Sequence, residues 1–269
     1  MAALGFVGGQ GMSDLITMDD LTNDEILEIL DAAERLLPVA NGDVYAPLLQ
    51  GKVLGNLFFE NSTRTRMSFE SAMKRLGGEV VNLSSVGSSV AKGETLYDTM
   101  QMVDGYSDIA VIRHPRQGAA QYSADAIGIP VLNAGDGAGN HPTQTMLDLF
   151  TIRQAHGSLE GLNVVLVGDL RYGRTTHSLS HALVRFGAKL TLVSPESLRM
   201  PTEIVGDLQS HGSDVVESEN LAGAIADADV IYMTRIQKER FPDEDEYAKV
   251  AGIYKMTADD LAVAKAGMI

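Results

Sequence analysis

The chain has 269 residues, a formal net charge of −15 and no cysteine. That length accommodates two ordinary domains or one large one. The missing cysteine excludes disulfides and thiolate metal sites within the chain and fits a cytoplasmic location, while the acidic balance lacks the basic footprint of a general nucleic-acid binder.

No apolar run in the sequence is long enough to span a membrane. Residues 1–11 carry no basic flank, so they read as an upstream extension rather than a signal peptide. Both Met1 and Met12 stand as candidate starts.

Thr22-Asn23-Asp24-Glu25 is a capping box, and Ile26, Ile29, Leu30 and Ala33 follow at helical spacing, which predicts a first helix ending near Pro38. After a loop at 41–50, Val53–Phe58 reads as a short buried strand. Phe69, Ala72, Met73 and Leu76 then form an apolar helical stripe, with Ser62 at its N-cap and Gly77-Gly78 at its end. Between strand and helix lies Asn61-Ser62-Thr63-Arg64-Thr65-Arg66. Capping accounts for Ser62 alone. Two further hydroxyls and two guanidiniums in one turn, at the positive end of a helix, form a site for a phosphate.

Glu79–Leu83 is the next strand, so the unit is strand–helix–strand with its ligand loop at the first strand's C-terminal end. Residues 84–93 form a loop of small residues whose one charge, Lys92, has an ordinary reading as a solvated lysine. Leu96, Met100 and Val103 mark another helix, and Asp108–Ile112 a strand closed by Arg113-His114-Pro115. Pro130–Ala134 is a further strand, followed by a glycine-rich turn and by His141-Pro142-Thr143-Gln144, which opens a long linking helix. His141 occupies the same kind of strand–loop–helix junction as Ser62.

The plan then repeats. Leu162–Val167 is a strand, 168–175 its loop, Leu179–Phe186 a helix and Lys189–Val193 the next strand. Asp229–Met233 is a later strand, with Arg235 and Gln237 just past its end. The alternation predicts two doubly wound parallel-sheet α/β domains joined by a linking helix, at 12–155 and 156–269. Gly168–Thr175 nearly matches a nucleotide-binding P-loop but carries Arg174 where that motif needs lysine, and the dinucleotide fingerprint is absent. A planar guanidinium at that position suits a carboxylate.

Six motifs occur in order: F-x-E-x-S-T-R-T-R, S-x-x-x-K-G-E-T, R-H-P, H-P-T-Q-T, G-D-L-x-Y-G-R-T and M-T-R-x-Q-x-E-R. Together they resemble the aspartate branch of the aspartate/ornithine carbamoyltransferase family, from about Met12 onward. Glu60, where the ornithine branch typically has lysine, and Arg235-Ile236-Gln237 favour that branch.

The resemblance implies transfer of the carbamoyl group of carbamoyl phosphate to L-aspartate in pyrimidine synthesis, with no metal or organic cofactor. It implies phosphate contacts from Ser62, Thr63, Arg64 and Thr65, and carbonyl contacts from Thr65, Arg113 and His141. Gln144 would hold the carbamoyl amide, and Arg174, Arg235 and Gln237 the aspartate carboxylates. It further implies a homotrimer in which Ser88 and Lys92 reach a neighbour's site, and some members also bind a zinc-containing regulatory chain. The family continues into an H-P-L-P-R motif and a terminal helix, whereas the sequence here stops at Ile269. The expectation is a fragment of a longer protein, with little activity in this form.

Overall fold

Strands and helices alternate along almost the whole chain, as the apolar periodicity requires. The computed structural model describes residues 13–85, 88–137, 139–236, 247–248, 250 and 252–269. The first half holds α1 (Asn23–Asn41), β1 (Val53–Phe58), α2 (Thr63–Arg75), β2 (Glu79–Ser84) and α3 (Leu96–Tyr106). It continues with β3 (Ile109–His114), α4 (Ala119–Ala126), β4 (Val131–Asp136) and α5 (Pro142–His156). The second half holds β5 (Asn163–Val167), α6 (Arg174–Val184), β6 (Lys189–Val193) and α7 (Thr202–Ser210). Then come β7 (Val215–Ser218), α8 (Leu221–Ile225), β8 (Val230–Met233) and a helical turn at Ala258–Leu261. The chain divides into two compact units between Met146 and Leu147, inside α5.

Each unit is built on one parallel sheet, with strand orders β2-β1-β3-β4 and β7-β6-β5-β8. Both orders reverse once, between β1 and β3 in the first and between β5 and β8 in the second. A doubly wound α/β architecture is therefore present in both units. The crevice beyond the strand ends at such a reversal is where open parallel sheets take ligands.

The strands are buried on two faces, which explains their near-continuous apolar runs. In the first sheet Leu54, Phe58 and Val111 pack with Met73 of α2, and Leu57, Ala110 and Ile112 pack on the opposite side with Met100 and Val103 of α3. Burying a side chain such as Leu57 or Ile112 contributes about 1.5–3 kcal/mol. In the second sheet Val165, Val167 and Val193 share one cluster, while the alternating Val164, Leu166, Leu190 and Leu192 are buried as well.

The same device fastens the lower end of each sheet. Asp108, just before β3, accepts from the backbone N–H of Val53 and the ammonium of Lys52, both at 2.8 Å. Asp229, just before β8, accepts from the N–H of Asn163 and the ammonium of Lys265, again at 2.8 Å. Each carboxylate thus holds the start of the strand across the reversal. The Lys52 bond leads in lowering the Asp108 pKa; burial opposes the lowering at Asp229, where Lys265 and the Asn163 N–H prevail.

Several sequence expectations are corrected. The first helix does not end near Pro38: it runs one turn further and stops at Gly42, whose φ of 87° is a left-handed cap. Ala72, assigned to the apolar stripe of α2, is exposed, and Met73 is that helix's buried residue. Residues 84–93 are not wholly loop, since Ser89–Lys92 forms a 3-10 turn closed by Gly93. Arg113 and His114 belong to β3 itself instead of following it, because Arg113 pairs in register with Phe58. Arg174 opens α6 rather than lying in the loop before it. The sequence reading also passed over α4, α7, β7 and α8, which are short or weakly patterned.

Gly168, at the end of β5, has φ of 116°, and a Cβ there would lie 2.4 Å from the carbonyl oxygen of Thr234 at the end of β8. Gly168→Ala combines a disfavoured backbone with a backbone clash, and we expect it to destabilise the chain by about 1–3 kcal/mol. A lower midpoint in thermal or urea unfolding checks this; an unchanged midpoint would show that the two strand ends are not tightly apposed.

Candidate functional site

Two adjacent strand ends assemble the first candidate site. β1 runs into Phe59 and Glu60 and then into the first turn of α2, while its neighbour β3 ends at Arg113 and His114. Ser62 is the N-cap of α2 by backbone geometry, yet its side chain makes no capping hydrogen bond. The side chains of Ser62, Thr63, Arg64 and Thr65 are engaged by no hydrogen bond or ion pair among the described residues. Arg64 and Thr63 are exposed and Thr65 half-buried. Three hydroxyls, a guanidinium and the free N–H groups of a helix start therefore face outward as donors, which suits a multiply charged oxyanion.

Arg113 is held differently. Its side chain is only 12% exposed; one terminal nitrogen donates to Glu60 Oε1 at 3.0 Å and the other to the Ala134 carbonyl at 3.2 Å. Its Nε–H is buried without a partner among the described residues. Such an orphaned donor costs about 1–3 kcal/mol, a cost that an incoming acceptor would offset.

His141 is buried just ahead of α5, and its carbonyl accepts from the N–H groups of Gln144 and Thr145 at 3.0 and 3.3 Å. Its Nδ1 lies 3.3 Å from the Thr143 hydroxyl. The β4–α5 loop that presents it is anchored by Asp136, a buried carboxylate that sequence reading missed. Asp136 accepts from the N–H of Gly118 at 2.8 Å and of Asn140 at 2.6 Å, so it ties the loop after β3 to the loop after β4. Gly137 allows the close approach: its φ is 59°, and a Cβ there would sit 2.3 Å from the Pro115 carbonyl. The signal was the Gly-Asp-Gly run at 135–137, visible as a turn but silent about its partner. Glu60 was likewise read only as a family marker, and its bond to Arg113 was not foreseen.

Ser88 caps the short 3-10 turn, with its hydroxyl donating to the Ser85 carbonyl at 3.2 Å, and Lys92 is exposed at the far end of that turn.

The second unit repeats the arrangement with different cations. Arg174 is the first residue of α6, reached from β5, and Arg235 follows β8. Because β5 and β8 pair directly, ending at Val167 opposite Met233, both arginines emerge at one edge of one sheet. Gln237 lies outside the described residues. Asp169 accepts the Tyr172 N–H at 2.9 Å and shapes the turn before Arg174. His177, one turn along α6, donates from Nε2 to the Leu170 carbonyl at 2.7 Å and closes that turn from the other side. Among the described residues no cluster of His, Asp and Glu forms a metal centre.

Comparison with known proteins adds to this geometry. Residues 13–154 match the family model described as the aspartate/ornithine carbamoyltransferase carbamoyl-P binding domain, and residues 160–269 match its Asp/Orn binding domain. The chain is 52% identical over 259 residues to the aspartate carbamoyltransferase catalytic subunit of Archaeoglobus fulgidus, covering 96% of this chain and 85% of that one. It is similar to the solved catalytic subunit of M. jannaschii aspartate transcarbamoylase, with a TM-score of 0.87 and 49% identity over 93% of this chain and 82% of that one. Aspartate transcarbamoylase of Trypanosoma cruzi, solved with carbamoyl phosphate and aspartate, gives a TM-score of 0.88 at 39% identity, covering 96% and 84%.

Burial leads in lowering the pKa of His177 below the ordinary 6.5, partly opposed by the Leu170 carbonyl. The same cause leads at His114. In the window below 6.5 the unfolded chain therefore binds protons that the folded chain refuses, so stability rises with pH there and is lost on acidification. We expect His177→Gln to lose less stability than the parent between neutral and mildly acidic pH in urea melts. Equal losses would remove His177 from the acid response.

Proposed function

The chain belongs to the aspartate/ornithine carbamoyltransferase family, and from that premise we infer that it transfers the carbamoyl group of carbamoyl phosphate to L-aspartate, giving N-carbamoyl-L-aspartate and phosphate. The observation that carries this reading is the pairing of an anion-receptive helix start with a buried arginine on the adjoining strand end, across the reversal of the first sheet. We assign residues 12–155 to carbamoyl phosphate and 156–269 to aspartate. The reaction serves pyrimidine synthesis, and the protein is read as cytoplasmic.

In this reading Ser62, Thr63, Arg64 and Thr65 bind the phosphate. Thr65, Arg113 and His141 donate to the carbamoyl carbonyl, and Gln144 holds its amide nitrogen. Arg174, Arg235 and Gln237 take the aspartate carboxylates, for which guanidiniums offer paired donors. The α-amine nitrogen forms a bond to the carbonyl carbon, and charge collects on the carbonyl oxygen. That charge meets donors already in place; removing one such donor typically costs about 3 kcal/mol of barrier. The carbon–oxygen bond to phosphate then breaks, and the departing phosphate accepts the proton lost by the amine. No covalent enzyme intermediate is needed, because positioning and electrostatics supply the rate. Glu60 keeps Arg113 compensated until an acceptor arrives.

The reading also takes the chain as a homotrimer, with Ser88 and Lys92 serving a neighbour's site.

Two outcomes test these assignments. Arg64→Ala should weaken carbamoyl phosphate binding about a hundredfold, the value of a charge-assisted pair, with the fold intact; calorimetry giving unchanged affinity would remove Arg64 from the site. Lys92→Ala and Arg113→Ala chains, each inactive alone, should regain part of the activity when mixed, because some interfaces then carry two intact halves. Folded hybrids that stay inactive would refute the sharing of sites.

A further inference from the structure

The pairing of β3 with β4 changes register at the point where Arg113 stands. Ile112 pairs with Asn133, but the next pair is His114 with Asp136, so one residue of β3 faces two of β4. Shifts of this kind re-aim a side chain beside a site. Ala134, inside the shifted stretch, gives its carbonyl to the Arg113 guanidinium at 3.2 Å. Beyond the shift stands the carboxylate of Asp136, only 3% exposed. Its Oδ2 accepts from the Gly118 N–H at 2.8 Å, in the loop after β3. Next to it the Gly137 N–H donates to the His114 carbonyl, also at 2.8 Å.

The other oxygen of the same carboxylate serves the approach to His141. Oδ1 accepts from the Asn140 N–H at 2.6 Å, and Asn140 directly precedes His141. Main-chain bonds close that turn as well, from the Gly139 N–H to the Asp136 carbonyl at 2.9 Å and from the Asp136 N–H to the Asn140 carbonyl at 3.3 Å. Those bonds shape the turn but do not fasten it to the loop after β3. The carboxylate does, because it offers an acceptor at each oxygen to a separate N–H. Asparagine has the same shape but one acceptor, and its NH2 would face the remaining N–H. The position therefore calls for an acid.

We propose that Asp136 is a positioning residue for the transfer step: one carboxylate sets both the strand end that carries Arg113 and the turn that delivers His141, so that the two side chains address one carbonyl oxygen together. This rests on reading Arg113 and His141 as donors to the carbamoyl carbonyl. Asp136 acts through them and touches no substrate.

The test uses Asp136→Asn, which keeps the shape and removes one of the two bonds, beside His141→Ala and the double variant in the active enzyme. Losing one hydrogen bond to a charged group corresponds to about thirtyfold in rate when it aligns the reacting groups. In Asp136→Asn kcat should therefore fall about thirtyfold, while KM for carbamoyl phosphate stays within about twofold. Calorimetric affinity for inorganic phosphate should also hold within about twofold, since Ser62, Thr63, Arg64 and Thr65 stand on α2 and its cap, outside the bonds of Asp136. In the His141→Ala background the same substitution should cost about fivefold or less, because residues that act as a unit are not additive. Should Asp136→Asn fail to fold, Gly139→Ala reads the same bond, since its Cβ would meet Asp136 Oδ1 at 2.6 Å and displace it from the Asn140 N–H. Unchanged kcat, an effect confined to the melting midpoint, or the full thirtyfold retained without His141 would overturn the proposal and leave Asp136 a loop staple. If His141→Ala itself leaves kcat unaltered, the carbonyl-donor reading fails instead. An impaired His141→Ala beside an unaffected Asp136→Asn refutes the positioning role alone.

Discussion

The parallel pairing that sets Phe58 opposite Arg113 is the constraint on which the first site depends. β1 and β3 are neighbours across the reversal of strand order, so the helix leaving β1 and the chain leaving β3 depart to opposite faces and open a crevice between them. Register then decides what enters the crevice. A slip of one residue would turn Arg113 to the other face of the sheet and carry its guanidinium away from Glu60. The loops beyond are secured to the same edge: Asp136 grips the N–H groups of Gly118 and Asn140, and the Gly137 N–H bonds to the His114 carbonyl at 2.8 Å. Rigid strand ends with short, well-bonded loops are the arrangement that preorganised electrostatic catalysis requires.

Charge is distributed to match. The chain carries 36 acidic residues against 21 basic ones, so cationic side chains gathered at strand ends stand out as local wells for small anions. Arg113 is mostly buried, and an unpaired guanidinium there would carry a large desolvation cost. Glu60 removes much of that cost, while the buried Nε–H has no acceptor among the described residues. Arg64, in contrast, is exposed and needs no compensation from the protein. The roles proposed for the two arginines differ accordingly, one collecting an anion from solvent and the other polarising a bond out of water.

Much of the architecture was legible because its causes are local. The strand at Val53–Phe58, the capping box at Thr22 and the helix start with Ser62 at its N-cap rest on neighbouring residues, and all appear where the pattern puts them. The failures are local competitions that pattern cannot weigh. Pro38 did not stop α1, because one more turn can form beyond a proline before the left-handed Gly42. The 3-10 turn at Ser89–Lys92 and the four-residue strand β7 are too short for a periodic signal.

Residue types and their order along the chain were enough to establish the alternating α/β plan, the cationic turns and the family to which they belong. Those properties follow from side-chain chemistry and from periods of two and of about 3.6 residues. Strand order and register were settled only in the folded protein, and with them the identity of each buried partner. Glu60 meets Arg113 across 53 positions, and Asp148 meets Tyr232 across 84. No local pattern encodes such a pairing, since it exists only once two sheet edges have been built and a polar group left inside must find whichever donor or acceptor the packing has brought within reach.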